Sequence, residues 1–200
     1  PYADPAKESV LLAPEHLALA REVAARSCVL LKNDRRLPLA KGLKALAVIG
    51  PLADNQADLL GTWSCEGEAK HVVTILEGIK AVSSTTKLLH TKGCEIAGGG
   101  TEGFVAAGAA AKEAGLAVLV LGEEQLMSGE GRSRTSLQLP GHQLDLAKAV
   151  HAAGVPFVAV VLSGRPLAIP WLAEHAGAIL AAWHPGTQGG TRSQTSSSVT

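Results

Sequence analysis

The chain has 200 residues, of which 46% are hydrophobic and 3% aromatic, and its 18 basic and 18 acidic residues give a formal net charge of zero. Neither sign of charge forms a long block, so nucleic acid and an anionic membrane surface are not expected as partners. No apolar run reaches the roughly 20 residues that a membrane-spanning helix needs. The apolar residues are mostly Ala, Leu, Val and Ile, which is typical of helices packed on a parallel sheet.

Helix and strand patterns alternate along the chain. Apolar residues recur at helical spacing from Pro14 to Leu31, and this predicted helix stops at Asn33 and Asp34. The same spacing predicts helices over residues 72–82, 104–114 and 143–153, and a single helical turn over 170–174. Short apolar runs predict strands over residues 43–49, 87–90, 116–121, 156–162 and 178–183.

This alternation predicts an α/β fold, with a mostly parallel sheet, right-handed crossovers and helices on both faces, as in a flavodoxin-like three-layer sandwich. In such folds ligands bind outside the carboxyl ends of the strands. The segments that follow those ends are polar and glycine-rich: GPLADNQADLLGTWS, GEEQLMSGEGRSRTS, LSGRPLAIP and WHPGTQGG. We therefore expect four loops to gather at one edge of the sheet.

Several kinds of site are disfavoured by the motifs. The glycines match neither G-x-G-x-x-G between a strand and a helix nor G-x-x-x-x-G-K-[ST], which argues against a nucleotide or phosphate loop. Cys28, Cys65 and Cys94 are far apart without a C-x-x-C pair, and the histidines are scattered, so neither a disulfide framework nor a metal site is expected. Ser163 lacks the first glycine of a G-x-S-x-G nucleophile. No cofactor is expected, and the carboxylates of the second loop are the remaining candidates for chemistry.

A run of motifs in sequential order carries a family resemblance. ARSCVLLKNDRRLPL, AVIGPLADNQADLLGTWS, VLVLGEEQLMSGEGRSRTSLQLPG, VVLSGRPLAIPW and AAWHPGTQGG together resemble the α/β sandwich domain of glycoside hydrolase family 3, in particular of bacterial β-glucosidases. The resemblance runs from about Pro14 to Gly190. It implies a linker from a barrel domain over residues 1–13, the sandwich domain over 14–190 and a Ser- and Thr-rich tail, disordered or foreign, over 191–200. Because the family continues with a helix after Gly190, the domain is expected to be truncated at its C-terminus.

The resemblance also implies a reaction, and it implies that two domains each supply one of the catalytic carboxylates. Enzymes of this family retain anomeric configuration with two carboxylates, a nucleophile and a general acid/base. The family's Asp nucleophile lies on a (β/α)8 barrel domain, and the acid/base position matches Glu130. Independently, Gly129 and Gly131 on either side let the loop carry a side chain across a gap, and nearby arginines can tune its proton affinity.

Glu123, Arg132, Arg134 and Trp63 are the candidate substrate-binding residues, and each has a structural alternative. Glu123, at a strand end, would instead bind backbone amides or an arginine. The two arginines would anchor the loop through ion pairs. Trp63, like Trp183, would either stack on a sugar ring or pack in the core or between domains.

Other acidic and polar residues of these loops have simpler interpretations. Asp54 and Asn55 are expected to shape the turn after the first predicted strand, and Glu124 is expected to face solvent. Ser136 stands where the family usually carries an Asp, so an interaction that steadies the loop is expected to be missing.

The function implied is that of part of a retaining β-glucosidase that hydrolyses terminal β-D-glucosyl residues, with the isolated chain close to inactive. The alternatives are a non-catalytic carbohydrate-binding or interaction module derived from that domain, and a flavodoxin-like nucleotide domain. The implied partners are a β-glucoside or oligosaccharide and the barrel domain, and a homodimer is left open. No secretion signal is visible in PYADPAKESVLLAPEH, so periplasmic, secreted and cytoplasmic locations are left undecided.

Overall fold

Six strands form one sheet in the computed structural model, which describes residues 3–191. The strands lie in the order β1-β6-β5-β4-β2-β3. The five strands from β2 to β6 are parallel, and β1 pairs antiparallel with β6 at one edge. The strands are β1 (Val29–Asn33), β2 (Ala45–Ile49), β3 (Lys87–Thr91), β4 (Ala117–Gly122), β5 (Phe157–Leu162) and β6 (Ala178–Ala181).

Helices cover both faces of this sheet, which confirms the predicted α/β class. The helices are α1 (Pro14–Ser27), α2 (Ile75–Val82), α3 (Phe104–Ala114), α4 (Gln143–Ala152) and α5 (Pro170–His175). One face of the sheet packs against α3, α4 and α5, and the other packs against α2 and the loop that follows β2. Strands β4 and β5 are buried along their whole length, as their unbroken apolar runs predict.

The first predicted helix is too long, and this is the main correction to the sequence analysis. The helix α1 ends at Ser27, and the next residues form the edge strand β1 instead of continuing the helix to Leu31. Val29 pairs with Ala181 and Leu30 with Leu180 across 150 residues or more of sequence. The apolar spacing of this segment suits a helix as well as a strand, and the long-range pairing decides between them.

The second helix begins later than its apolar pattern suggests, because a cap sets its start. Thr74 accepts a hydrogen bond from the Glu77 amide, and Glu77 accepts one from the Thr74 amide in return. This reciprocal capping box satisfies two amides that the first turn leaves free. The helix therefore starts at Ile75, three residues after the predicted boundary.

The outer segments of the chain are only partly described. The predicted linker over residues 1–13 contains a short 3-10 helix, Pro5–Val10, with no buried residue. The predicted tail lies outside the described residues from position 192 onward. Within residues 3–191 no helix combines the length and apolar character that crossing a membrane requires.

A matched pair of glycine substitutions should test how β4 meets β5. Gly122 has φ +147°, and an added Cβ would lie 1.7 Å from the Leu162 carbonyl oxygen. We expect Gly122→Ala to lower the free energy of unfolding by about 3 kcal/mol or more. Gly108 lies within α3, where an added Cβ would lie 4.0 Å from its nearest neighbour, the Ala153 Cβ. Gly108→Ala should therefore raise the free energy of unfolding by about 0.5 to 1 kcal/mol. Urea unfolding of both variants checks this, and equal effects would contradict the packing described.

Candidate functional site

Four loops meet at the carboxyl edge of the sheet, as expected from the sequence. They are loop A (residues 50–74, after β2), loop B (123–142, after β4), loop C (163–169, after β5) and loop D (182–190, after β6). The Gln125 amide of loop B donates to Asp58 Oδ1 of loop A at 2.8 Å. The Ser163 amide of loop C donates to the Trp183 carbonyl of loop D at 3.2 Å. His184 Nδ1 of loop D donates to the Asp58 carbonyl of loop A at 3.0 Å, so the four segments form one connected surface.

Glu130 lies exposed in a tight turn of loop B. Gly129 has φ +112° and Gly131 has φ +68°, a backbone region that favours glycine. A Cβ at Gly129 would lie 2.6 Å from the Thr62 methyl group, so loop A also requires glycine there. Within residues 3–191 the Glu130 carboxyl has no hydrogen-bond or ion-pair partner, which leaves it free to meet a group beyond the domain surface.

Glu123 lies completely buried beneath the same loop. Its Oε1 lies 2.6 Å from Arg134 Nη1 and 3.4 Å from Arg165 Nε. This geometry matches the structural interpretation, in which Glu123 binds an arginine. Arg165, which the sequence analysis did not single out, is the second arginine of the cluster.

Arg132 and Trp63 lie on the open side of the edge. Arg132 is exposed and lines, with Arg134, a cavity of about 370 Å³ under loop B. Trp63 is 70% exposed, which places its ring where a ligand or another domain can reach it. Its neighbour Thr62 donates to the carbonyl oxygens of Gln125 and Ser128, so loop A is held against loop B next to the ring. Sugar contacts by these residues stay predictions.

Of the two residues after β2, Asn55 shapes the turn as the sequence predicts, whereas Asp54 makes a longer-range contact. Asn55 Oδ1 accepts from the Asp58 amide at 2.9 Å, and Asn55 Nδ2 donates to Asp58 Oδ2 at 2.7 Å. Asp54 accepts from the Thr74 hydroxyl at 2.9 Å, which fixes loop A against the start of α2. Ser136, at the position where an Asp was expected, accepts a local hydrogen bond from the Gln138 amide at 3.2 Å.

His184 of loop D is a central residue that the sequence analysis treated as one of several scattered histidines. Its Nδ1–H donates to the Asp58 carbonyl at 3.0 Å, and its Nε2 lies 3.5 Å from Ser128 Oγ. Burial lowers the pKa of His184, although the Asp58 hydrogen bond and the charges of Glu123 and Asp58 oppose that shift. Neutral His184 therefore links three of the four loops. Its position directly after a predicted strand was the available signal.

Metal binding has no support from the described residues. Within residues 3–191, no group of three or more His, Cys, Asp or Glu side chains is arranged to hold a metal ion.

Comparison with known proteins identifies the family of this chain. The family model for the glycosyl hydrolase family 3 C-terminal domain matches residues 28–195. The chain is 42% identical to a periplasmic beta-glucosidase of Salmonella typhimurium over 197 residues, which cover 88% of this chain and 26% of that protein. It is 39% identical to a beta-xylosidase of Formosa agariphila over 183 residues, which cover 88% of this chain and 25% of that protein.

Solved structures show the same architecture. The beta-glucosidase from Listeria innocua in complex with isofagomine superposes with a TM-score of 0.84 at 35% identity, covering 94% of this chain and 26% of that one. An exo-beta-xylosidase, XlnD, superposes with a TM-score of 0.78 at 29% identity, covering 89% of this chain and 23% of that one. The chain thus spans about a quarter of the length of the relatives that it matches.

Acid should destabilise the domain through His184. Because burial holds the pKa of folded His184 below its ordinary value, the unfolded chain binds the proton first as the pH falls. We expect the free energy of unfolding in urea to fall below about pH 6.5, with a slope of up to about 1.4 kcal/mol per pH unit from this one proton. His184→Gln cannot titrate and should flatten the slope, whereas His16→Gln, on the exposed side of α1, should leave it unchanged. Equal slopes in all three proteins would contradict the role of His184.

Proposed function

The chain belongs to the glycosyl hydrolase family 3 C-terminal domain family, and from this we propose that it forms part of a retaining β-glucosidase acting on terminal β-D-glucosyl residues. In this proposal Glu130 is the general acid/base. The observation that supports it is the exposed carboxyl of Glu130, which has no partner within residues 3–191 and lies in a tight turn at the carboxyl edge of the sheet. The Asp nucleophile and most of the sugar pocket are proposed to lie on a (β/α)8 barrel domain of the same protein.

Three of the other acidic side chains of this edge are committed to structural contacts. Asp54 accepts from Thr74, and Asp58 accepts from Asn55 and the Gln125 amide. Glu123 is buried in its arginine cluster. Proton transfer needs a carboxyl that can reach the reacting oxygen, so these three residues are poor candidates and Glu130 is a good one.

The proposed reaction has two steps. Protonated Glu130 donates its proton to the glycosidic oxygen while the barrel's Asp attacks the anomeric carbon and the bond to the leaving group breaks. The Glu130 carboxylate then takes a proton from a water molecule that attacks the same carbon, which releases the sugar and the Asp. The two carboxyl groups must lie about 5 to 5.5 Å apart in a retaining enzyme, so Glu130 has to extend from its domain across to the barrel.

The choice of glucoside over xyloside rests on the relatives. The similarity of this chain to the β-glucosidases of Salmonella typhimurium and Listeria innocua supports a glucosyl substrate. A β-xylosidase has a similar sequence identity to this chain, which makes xylosides the second candidate. Comparing kcat/KM for matched aryl β-glucosides and β-xylosides decides between them.

Substitution of Glu130 in the full-length protein tests the proposal. Glu130→Ala should lower kcat/KM for an alkyl β-glucoside by about 10² to 10⁴, because a poor leaving group needs the proton donor. The loss should be smaller for a dinitrophenyl glucoside, whose leaving group departs without a proton. Added azide should speed turnover of the dinitrophenyl substrate and give β-glucosyl azide, since a small anion can attack without a general base.

Glu124→Gln is the matched control, because Glu124 is also exposed and lies in the same loop. It should leave the rates within about twofold of the parent protein's. Unchanged rates in Glu130→Ala would refute the assignment. A folded parent protein that binds glucosides but never hydrolyses them would instead favour a non-catalytic carbohydrate-binding module.

A further inference from the structure

One buried carboxylate is linked through two arginines to the backbone before and after Glu130. We infer that Glu123 is a positioning residue, which holds the backbone before and after Glu130 through two arginines. The inference rests on the proposed function for its catalytic consequence, while its structural part concerns only the described residues. In this inference the ion pairs of Glu123, and not the loop's own turns alone, fix the orientation of loop B.

The arm before Glu130 is held through Arg165 of loop C. Arg165 Nε lies 3.4 Å from Glu123 Oε1. The same guanidinium donates through Nη2 to the carbonyl oxygen of Met127, three positions before Glu130. Glu123 therefore forms an ion pair, without a hydrogen bond at Nε, with an arginine whose other end binds the loop backbone.

The arm after Glu130 is held through Arg134. Arg134 Nη1 donates to Glu123 Oε1 at 2.6 Å, and its Nη2 donates to the Gln138 carbonyl at 3.1 Å. Seven positions separate Met127 from Arg134, so the two tethers leave only a short segment around Glu130 free to move. Charge-assisted hydrogen bonds of this kind are short and directional, which suits them to fixing a loop.

Glu123 is itself anchored to the sheet. Its amide donates to the Leu162 carbonyl at 2.8 Å, which extends the pairing of β4 with β5 by one residue. The preceding residue, Gly122, is held by the buried side chain of Gln143, which accepts from its amide at 2.8 Å and donates to its carbonyl at 2.7 Å. The carboxylate thus projects from a rigid point of the fold, and the tethers transmit that rigidity to loop B.

The charges explain why a neutral residue should not replace Glu123. Two guanidinium groups converge on one carboxylate oxygen, and their side chains are only 17% and 20% exposed. Without the negative charge the arginines would repel each other at short range with little water to screen them. Glu123→Gln keeps the size and shape of the side chain, so its effect should come from the lost charge.

Release of the loop can be measured directly on this chain by limited trypsin digestion. Arg132 is exposed in loop B, and cleavage after it requires the local backbone to open. We expect Glu123→Gln to raise the rate of cleavage after Arg132 by about tenfold or more relative to cleavage after Arg26 in α1. The matched control is Glu113→Gln, which removes a carboxylate held at the same 2.6 Å distance by Lys87 in an exposed ion pair, and it should leave the ratio unchanged.

A second variant keeps the inference testable if Glu123→Gln fails to fold. Arg134→Gln removes one tether and leaves the Glu123 carboxylate in place, and it should raise the same cleavage ratio. Arg134→Lys keeps the charge but not the second hydrogen bond, so its ratio should lie between those of the parent and of Arg134→Gln. A ratio that is unchanged in folded Glu123→Gln, or in folded Arg134→Gln where Glu123→Gln does not fold, would overturn the inference.

The catalytic consequence is tested in the full-length protein. Glu123→Gln should lower kcat for an alkyl β-glucoside by about 10- to 100-fold, because a small misplacement of the acid is enough, with KM within about twofold. A dinitrophenyl glucoside should lose less. The positioning role is wrong if Glu130→Ala lowers the rates but Glu123→Gln does not lower kcat more for the alkyl glucoside than for the dinitrophenyl glucoside. The proposed function stands in that case. If Glu130→Ala changes nothing, the proposed function fails while the digestion result still reports on the tethers.

Discussion

Parallel pairing of the strands is the constraint on which this molecule depends. Because β2, β4, β5 and β6 run in one direction, the loops that follow them all leave the sheet at the same edge. Residues far apart in sequence then meet. The Asp58 carboxylate accepts from the Gln125 backbone amide, and the Asp58 carbonyl accepts from His184 Nδ1. The exposed turn with Glu130 is stable because three other loops support it, and none of these contacts is local.

The contacts that support this turn are polar, which affects both the stability of the fold and the direction in which the loop is held. Burying Glu123 with two arginines gains less than the same volume of apolar packing would, since all three charges must leave water. The cluster also fixes direction, because guanidinium groups bind a carboxylate in defined geometry. Burial of His184 disfavours its charged form, so protonation of the ring at acid pH weakens this part of the edge. We interpret the polar contacts of this surface as less stabilising than apolar packing would be, but as holding the Glu130 carboxyl in a defined place.

The sequence predicted most of the fold because each apolar run has a length and spacing of its own. The helix α3 was predicted with the bounds that the structure shows, and the gathering of four loops followed from the alternation alone. The strand β1 was missed since its pairing with β6 is set by residues that follow it by about 150 positions. His184 and Arg165 were missed for the same reason, because a side chain that bridges two loops leaves no local pattern. Glu130 was proposed from the family resemblance, with the flanking glycines as supporting evidence.

The central claim is that this edge presents Glu130 to a nucleophile on another domain. The most direct test is a crystal structure of the full-length protein with a glucoside bound, in which the distance between the Glu130 carboxyl and the barrel's Asp carboxyl is measured. Our account predicts a separation of about 5 to 5.5 Å, with the glycosidic oxygen within hydrogen-bond reach of Glu130. A Glu130 carboxyl that points away from the bound sugar, with another acid in its place, would contradict the account.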